Sequence, residues 1–294
     1  MRIFITGATG FIGTSVIKEL RSAGHEVLGM ARSDAGAEAL TNLGAEVHRG
    51  SLEDLESLRR GAAAADGVIH LGFIHDFSKL AENCAIDKNA IEAMGSVLAG
   101  SARPLIVTAG LAGLGAPGRV ATEDDTIPPD FPLPRVSEQT ALALPGVNAS
   151  VMRLPQVHDT AKQGLITYLV QLAREKSVSA YVGDGQNRWA ATHVSDVARA
   201  YHLALEKGQP GDRYHAVAEE GVPMRDIAEA IGKRLGVAVK SLSPEDVPGH
   251  LGWLSAFASL PLSGSSRKTR EKLRWEPTGP SLLEDLEQSD EINR

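Results

Sequence analysis

The chain has 294 residues, 43% hydrophobic and 23% charged, with a net charge of −7. That composition suits a globular protein with a large core, and it lacks the basic stripe that nucleic-acid binding needs. The single cysteine, Cys84, excludes an intrachain disulfide, and the longest apolar stretch, 251–262, is interrupted by Gly252, Ser255, Ser259 and Pro261 and is no membrane span.

The run Arg2 to Thr6 reads as a strand buried on both faces. Because it opens at Arg2, no stretch remains for a signal peptide, and a cytoplasmic location is expected. Gly7, Gly10 and Gly13 follow, and then Phe11, Ile12, Val16, Ile17 and Leu20 recur at helical intervals. Strand, glycine turn and helix bring unpaired amides and a helix dipole to one point, which attracts a pyrophosphate. Gly7 permits the tight turn, Gly10 leaves the ligand's approach open, and Gly13 lets the helix lie close.

The segment TGATGFIG has the spacing G-x-x-G-x-x-G. It resembles the short-chain dehydrogenase/reductase superfamily in its extended or atypical branch, which includes the NAD(P)-dependent epimerase/dehydratase-like proteins. The resemblance implies a Rossmann α/β fold, a doubly wound parallel sheet with a smaller C-terminal substrate lobe. Residues 1–160 would form the coenzyme-binding core, and residues 161–294 would complete the sheet and form the lobe. Thr9, Phe11 and Ile12 are grouped with the glycines as coenzyme contacts.

The second strand, Glu26 to Met30, ends in Ala31-Arg32-Ser33. NAD-preferring Rossmann enzymes place an acid near this end; an arginine and a hydroxyl suit a 2′-phosphate instead. Arg32 and Ser33 therefore predict NADP(H), with Asp34 as the carboxylate that a one-residue shift would bring to the ribose. A helix over Ala35 to Leu43 and a strand over Ala45 to Arg49 follow. Gly50-Ser51-Leu52-Glu53-Asp54 resembles the family's G-D-L-x-D turn beside the adenine, so Ser51 and Leu52 are assigned there, although Ser51 also reads as the N-cap of a helix over Leu52 to Arg60.

The fourth strand, Asp66 to Leu71, would bring Leu71, Gly72 and Phe73 to the nicotinamide ribose. His75 lies in the next loop, either as a proton-exchanging group or as a surface partner of Asp76. After a helix over Ala81 to Leu98, the fifth strand, Leu105 to Thr108, ends where the resemblance implies a hydroxyl that holds the substrate carbonyl, and Thr108 takes that role.

The family's acid is a tyrosine four residues before a lysine. The tyrosines here are Tyr168, Tyr181, Tyr201 and Tyr214, none is followed by lysine at the fourth position, and no lysine occurs between Lys88 and Lys162. The expected place holds the proline-rich stretch 127–135 and then Arg135-Val136-Ser137-Glu138. Either other acids serve, among them His75, His158, Asp159 and Tyr181, or the reaction needs no strong protein acid, or the chain binds coenzyme without turnover.

The sixth strand, Asn148 to Leu154, leads to Arg153-Leu154-Pro155-Gln156-Val157-His158, which resembles the family's R-P-x-x-V-Y-G. That resemblance implies contacts from Pro155, Val157 and His158 to the nicotinamide. After a helix over Leu165 to Glu175, the turn from Tyr181 to Trp189 resembles the family's G-x-G-x-x-R wall of the substrate site. Tyr181, Arg188 and Trp189 are its candidates: Arg188 for an anion or for Asp184, and Trp189 for a flat group or the core. Ser195 reads as the N-cap of the next helix. A strand over Asp212 to Val217, a helix over Met224 to Leu235 and a strand over Val237 to Ser241 come next. The stretch His250 to Leu262 is either packing or a lid. Ser265 to Trp275 and Pro277 match the family's closing S-x-x-L-G-W-x-P with Arg274 for glycine, and a last helix starts at Leu282. The scattered histidines lack metal-ligand spacing, so no metal is expected.

The expected function is an NADPH-dependent reductase of a small carbonyl, enone or imine, acting as a monomer or homodimer, with neither nucleic acid nor membrane as partner. The alternatives are a non-catalytic NADP(H)-binding redox sensor and a nucleotide-sugar epimerase or dehydratase.

Overall fold

A computed structural model describes residues 1–116 and 118–288. Seven parallel strands form the central sheet: β1 (Arg2–Thr6), β2 (Glu26–Ala31), β3 (Glu46–Arg49), β4 (Gly67–His70), β5 (Pro104–Gly110), β6 (Asn148–Leu154) and, after the strands β7 (Gln156–His158), β8 (Val178–Val182) and β9 (Arg188–His193), the edge strand β10 (Arg213–His215). Their order is β10-β6-β5-β4-β1-β2-β3, with every pairing parallel. This is the expected doubly wound sheet, and its reversal of direction falls beside β1.

Helices α1 (Phe11–Ser22), α2 (Asp34–Asn42), α3 (Leu55–Ala63), α4 (Leu80–Leu98), α5 (Ser137–Leu142), α6 (Ile166–Lys176) and α7 (Val194–Lys207) alternate with these strands. Val16, Ile17 and Leu20 of α1 share a core with Val197, Tyr201 and Ala204 of α7. On the opposite face, Leu58 of α3 and Ile91, Met94 and Leu98 of α4 cover Phe4, Val68 and Leu105. The strands thus read as continuous apolar runs because helices cover both faces.

A third core forms around Trp189, Ile227, Leu242 and Leu286. It gathers α6, β11 (Glu219–Pro223), α8 (Met224–Leu235), β12 (Ala238–Leu242), the short helices α9 (Val247–Leu251) and α10 (Ser255–Ala258), and α12 (Leu282–Gln288); α11 (Arg267–Leu273) lies against α7 and β10 instead. Strand β9 pairs with β11 antiparallel and with β7 parallel, while β12 pairs with β8. No described helix is long and apolar enough to cross a membrane.

Three boundaries differ from the sequence reading. Asp54, not Ser51, caps α3, accepting from the Ser57 amide at 2.9 Å. His193, not Ser195, caps α7. Asp196 instead accepts the Thr278 and Gly279 amides. Strand β5 also runs two residues past Thr108, because Ala109 and Gly110 continue the ladder with Arg153 and Leu154. Arg274, at the family's glycine position, adopts φ +54, the left-handed conformation that glycine takes more easily.

One buried ionic group fixes α5 to the sheet. Arg153, fully buried on β6, makes two hydrogen bonds to the Glu138 carboxylate at 2.6 and 2.7 Å, and Arg213 adds a third at 2.8 Å. Burial pushes Glu138 up, but the two guanidiniums outweigh it and hold it below the ordinary carboxylate range. Burial and then the Arg153 charge lower His215 to about 4, so its neutral Nε2 accepts from Arg153 at 3.0 Å.

Candidate active site

A cavity of about 730 Å³ opens at the carboxyl ends of β1, β4, β5 and β6. At one end lies the glycine turn. Gly7 has φ +67, and a Cβ there would stand 2.8 Å from the Gly72 nitrogen, so this turn accepts only glycine. A Cβ on Gly13 would come 2.3 Å from the Gly7 carbonyl oxygen, which locks the start of α1 against the turn. Helix α1 begins at Gly10 with no side-chain cap and no acid in its first turn. Gly10, Phe11, Ile12 and Gly13 line the cavity, as does Thr9. An uncapped helix start facing a cleft favours an anion.

Beyond the turn, Met30, Arg32, Ser51 and Leu52 form the wall. Arg32 is exposed and makes no hydrogen bond or ion pair among the described residues, whereas Asp34 is paired outward with Arg49. Ser33 does not line the cavity; its hydroxyl caps α2 by accepting from the Gly36 amide at 3.1 Å.

At the other end Leu71, Gly72, Phe73, His75 and Thr108 face Pro155 and Val157 across the cavity. Thr108 donates its hydroxyl proton to the His70 carbonyl at 2.7 Å and so accepts from the Tyr201 hydroxyl at 2.6 Å. It has no proton left for a substrate. Although His75 is exposed by surface area, the protein packed around its ring strips water from it, and this burial, followed by the Arg135 charge, lowers its pKa from the ordinary imidazole value.

Four candidates lie elsewhere. His158 follows Val157 on a strand, and its ring turns from the cavity to meet Asp285 at 2.6 Å, fully buried. Trp189 is 1% exposed inside the C-terminal core. Arg188 donates outward to the Gly221 carbonyl at 3.0 Å, and Tyr181 lies under the Arg225 guanidinium. The glycine-polar turn between β8 and β9 supports that core rather than walling the cavity.

The sequence reading passed over Arg135 and Tyr168, both of which line the cavity. The guanidinium of Arg135 lies 4.2 Å from the Phe73 ring centre, and its Nη2 donates to the Thr108 carbonyl at 3.1 Å. Its Nε donates to Ser137 Oγ at 2.9 Å, Ser137 donates to Asp87 at 2.5 Å, and Asp87 accepts from His70 at 3.1 Å. Thr6 Oγ1 completes the line, accepting from the Gly72 amide at 3.1 Å and donating to His70 Nδ1 at 2.7 Å. Burial pushes Asp87 up, but His70, Arg135 and Ser137 together hold it below the usual carboxylate range. A buried carboxylate thus fixes the cavity's guanidinium through one serine. The Tyr168 hydroxyl makes no hydrogen bond among the described residues. Around these groups the wall is apolar: Leu80, Ile127, Phe131, Leu133, Leu165, Phe257 and Leu262.

Residues 3–105 and 138–217 match the NAD dependent epimerase/dehydratase family. The chain belongs to this family. It is 47% identical to an uncharacterized protein of Schizosaccharomyces pombe over 97% of this chain and 98% of that one. It is 44% identical to an uncharacterized Saccharomyces cerevisiae protein over the full length of both. A sterol-4-alpha-carboxylate 3-dehydrogenase, decarboxylating, of Dictyostelium discoideum is 29% identical over 87% of this chain and 84% of its own. Among solved structures, UDP-glucose 4-epimerase of Thermotoga maritima superposes with a TM-score of 0.77 at 20% identity, covering 100% of this chain and 98% of that one. The family member described here thus has the doubly wound sheet and the glycine turn at one end of its cavity and Arg135 at the other.

Proposed function

We propose that the chain is an NADP(H)-dependent oxidoreductase that reduces a small, largely apolar carbonyl, enone or imine compound. The observation that carries this reading is one continuous cavity with two chemically opposite ends. At one end an uncapped helix start and an unpaired arginine meet; the other end is an apolar chamber with a single guanidinium. Gly7, Gly10, Phe11, Ile12 and Gly13 would hold the pyrophosphate, and Arg32 would take the 2′-phosphate. NADP(H), when bound, supplies hydride.

Arg135 is the group we assign to the acceptor. Its Nε and Nη2 are held by Ser137 and Thr108, which leaves Nη1 to donate to a developing oxyanion. An arginine cannot deliver a proton, so Tyr168 or water reached through the cavity mouth supplies it. The apolar wall suits a substrate of low polarity better than a nucleotide sugar, and the Dictyostelium relative acts on a sterol by its name.

Fluorescence titration with NADPH and NADH tests the coenzyme half. The wild type is expected to favour NADPH by roughly 10–100-fold, and Arg32→Glu to abolish that preference, as loss of charge-assisted hydrogen bonds implies. Unchanged preference, or no binding of either coenzyme, would sink the proposal. Tight NADPH binding with no oxidation by any ketone, enone or imine would leave the sensor reading in its place.

A further inference from the structure

A second cluster lies by the amino ends of the strands, on the opposite side of the sheet from the cavity. His25 sits just before β2, and His202 and Glu206 stand one turn apart on α7. One ligand atom from each of the three lies within 4.8 Å of the others. The His202 Nε2 and Glu206 Oε1 atoms are 3.4 Å apart, and the His25 Nε2 atom is 3.8 Å from the same carboxylate oxygen. The edge of a zinc tetrahedron with bonds of ~2.0–2.1 Å is about 3.4 Å.

Three further features point to a ligand. The His25 side chain is only 9% exposed, and its Nε2 has no hydrogen-bond partner. A buried imidazole nitrogen without a partner is costly, and a cation would satisfy it. His202 Nδ1 lies 2.9 Å from the Glu19 carboxylate of α1. With an ion bound at Nε2, that contact would hold the ring proton on Nδ1, the outer-shell arrangement that metal-bound histidines use. The two carboxylates, Glu19 and Glu206, also carry the charge that a dication neutralises. The Met1 amino group lies 3.5 Å from His25 Nδ1, on the far side of the ring from Nε2; that length is too long to hold Nδ1 as an acceptor, so the ring proton can sit on Nδ1 and leave the Nε2 lone pair to an ion.

We propose that His25, His202 and Glu206 bind a divalent transition-metal cation, zinc in the first instance, with Glu19 orienting His202. Two nitrogens and one carboxylate suit zinc and its neighbours over magnesium or calcium. The ion would tie α7 to the corner between α1 and β2, stabilising the sheet's helical cover without touching the cavity. No redox or covalent step is involved. The sequence hides the site because His25 and its helical partners are far apart in the chain.

The test uses tag-free, chelator-treated full-length protein at pH 7.5. Zinc is titrated against a chromophoric indicator, and melting is followed with and without zinc. The wild type is expected to take up one equivalent and to melt several degrees higher with zinc. His202→Ala is expected to weaken binding at least ~100-fold, and Glu19→Gln about 10-fold, the loss typical of an outer-shell partner. His202→Ala should lose the zinc-dependent rise in melting, and Glu19→Gln should show a smaller one. Should His202→Ala fail to fold, Glu206→Gln, at an exposed position, removes one ligand without opening the core. Equal zinc affinity in wild type and Glu206→Gln would overturn the proposal, as would a wild type whose melting zinc leaves unchanged. Magnesium competing as well as zinc would refute the assigned ligand chemistry.

Discussion

The two ends of the cavity are built by different means. At the glycine end the backbone supplies the contacts: a turn with φ +67 at Gly7, an uncapped helix start and a close approach of Gly7 to Gly72. At the other end side chains supply them, from the segment before α5, from α6 and from the stretch around α10. The phosphate turn of the first end comes from residues adjacent in sequence, with Arg32 and Gly72 added by the fold; the second end needs the whole chain folded. A backbone site tolerates little change and varies little in chemistry, whereas a side-chain site can be re-specified one residue at a time. Substitutions at the two ends should therefore fail in different ways.

The largest effect is expected at Gly7. Valine there combines a left-handed φ with a Cβ contact of 2.8 Å to backbone, and backbone cannot swing aside. Gly7→Val is expected to weaken NADPH binding by ~10³-fold or more, or to cost roughly 3 kcal/mol of stability, read by coenzyme titration and thermal melting. Unimpaired binding in a folded Gly7→Val protein would show that the turn is not the phosphate cradle.

Arg135 probes the other end. Arg135→Met is expected to lower kcat ~10²–10³-fold, the cost of removing one oxyanion donor, while coenzyme affinity stays within a few-fold. Asp87→Asn should reproduce part of the kcat loss, because Asp87 reaches Arg135 only through Ser137. If Arg135→Met keeps full kcat and Tyr168→Phe loses it, the acceptor oxygen rests on the tyrosine instead.

That contrast also explains what the sequence disclosed. The strands of the central sheet were legible because burial on both faces leaves unbroken apolar runs, and the glycine turn was legible because its geometry fixes local spacing. His158, Tyr181 and Arg188 were placed at the cavity, and Trp189 was left open between cavity and core, because a motif gives position along a strand but not which face meets the cavity; the core reading holds for Trp189. Arg135 was hidden by its setting: the proline-rich stretch before it reads as a break in the family pattern, and nothing local shows that Asp87, in the middle of α4, reaches Ser137. Tyr168 sits in an ordinary amphipathic helix pattern, and only the fold turns it toward the cavity. The strands β7, β8, β9 and β11 were missed because each is short and gains its partner only through tertiary pairing, β7 and β11 with β9 and β8 with β12.

The smallest effect should come where the two halves of the chain touch over the cavity mouth. Trp253, 41% exposed, stacks on Phe77 with ring centres 4.3 Å apart and planes 13° from parallel. Phe77 opens the short 3-10 turn that follows β4, and Trp253 lies between α9 and α10, whose residue Phe257 lines the cavity. The stack therefore joins the acceptor chamber's outer wall to the sheet without reaching the glycine turn. An aromatic pair of this kind contributes ~0.5–1.5 kcal/mol, so Trp253→Ala is expected to raise KM for the acceptor by about 3–10-fold. Coenzyme affinity should remain unchanged, and kcat should stay within about twofold, because neither Arg135 nor its supports touch Trp253. A parallel loss of coenzyme affinity would mean that closure over the mouth and the grip on the pyrophosphate are coupled, and the two ends would then have to be treated as one site.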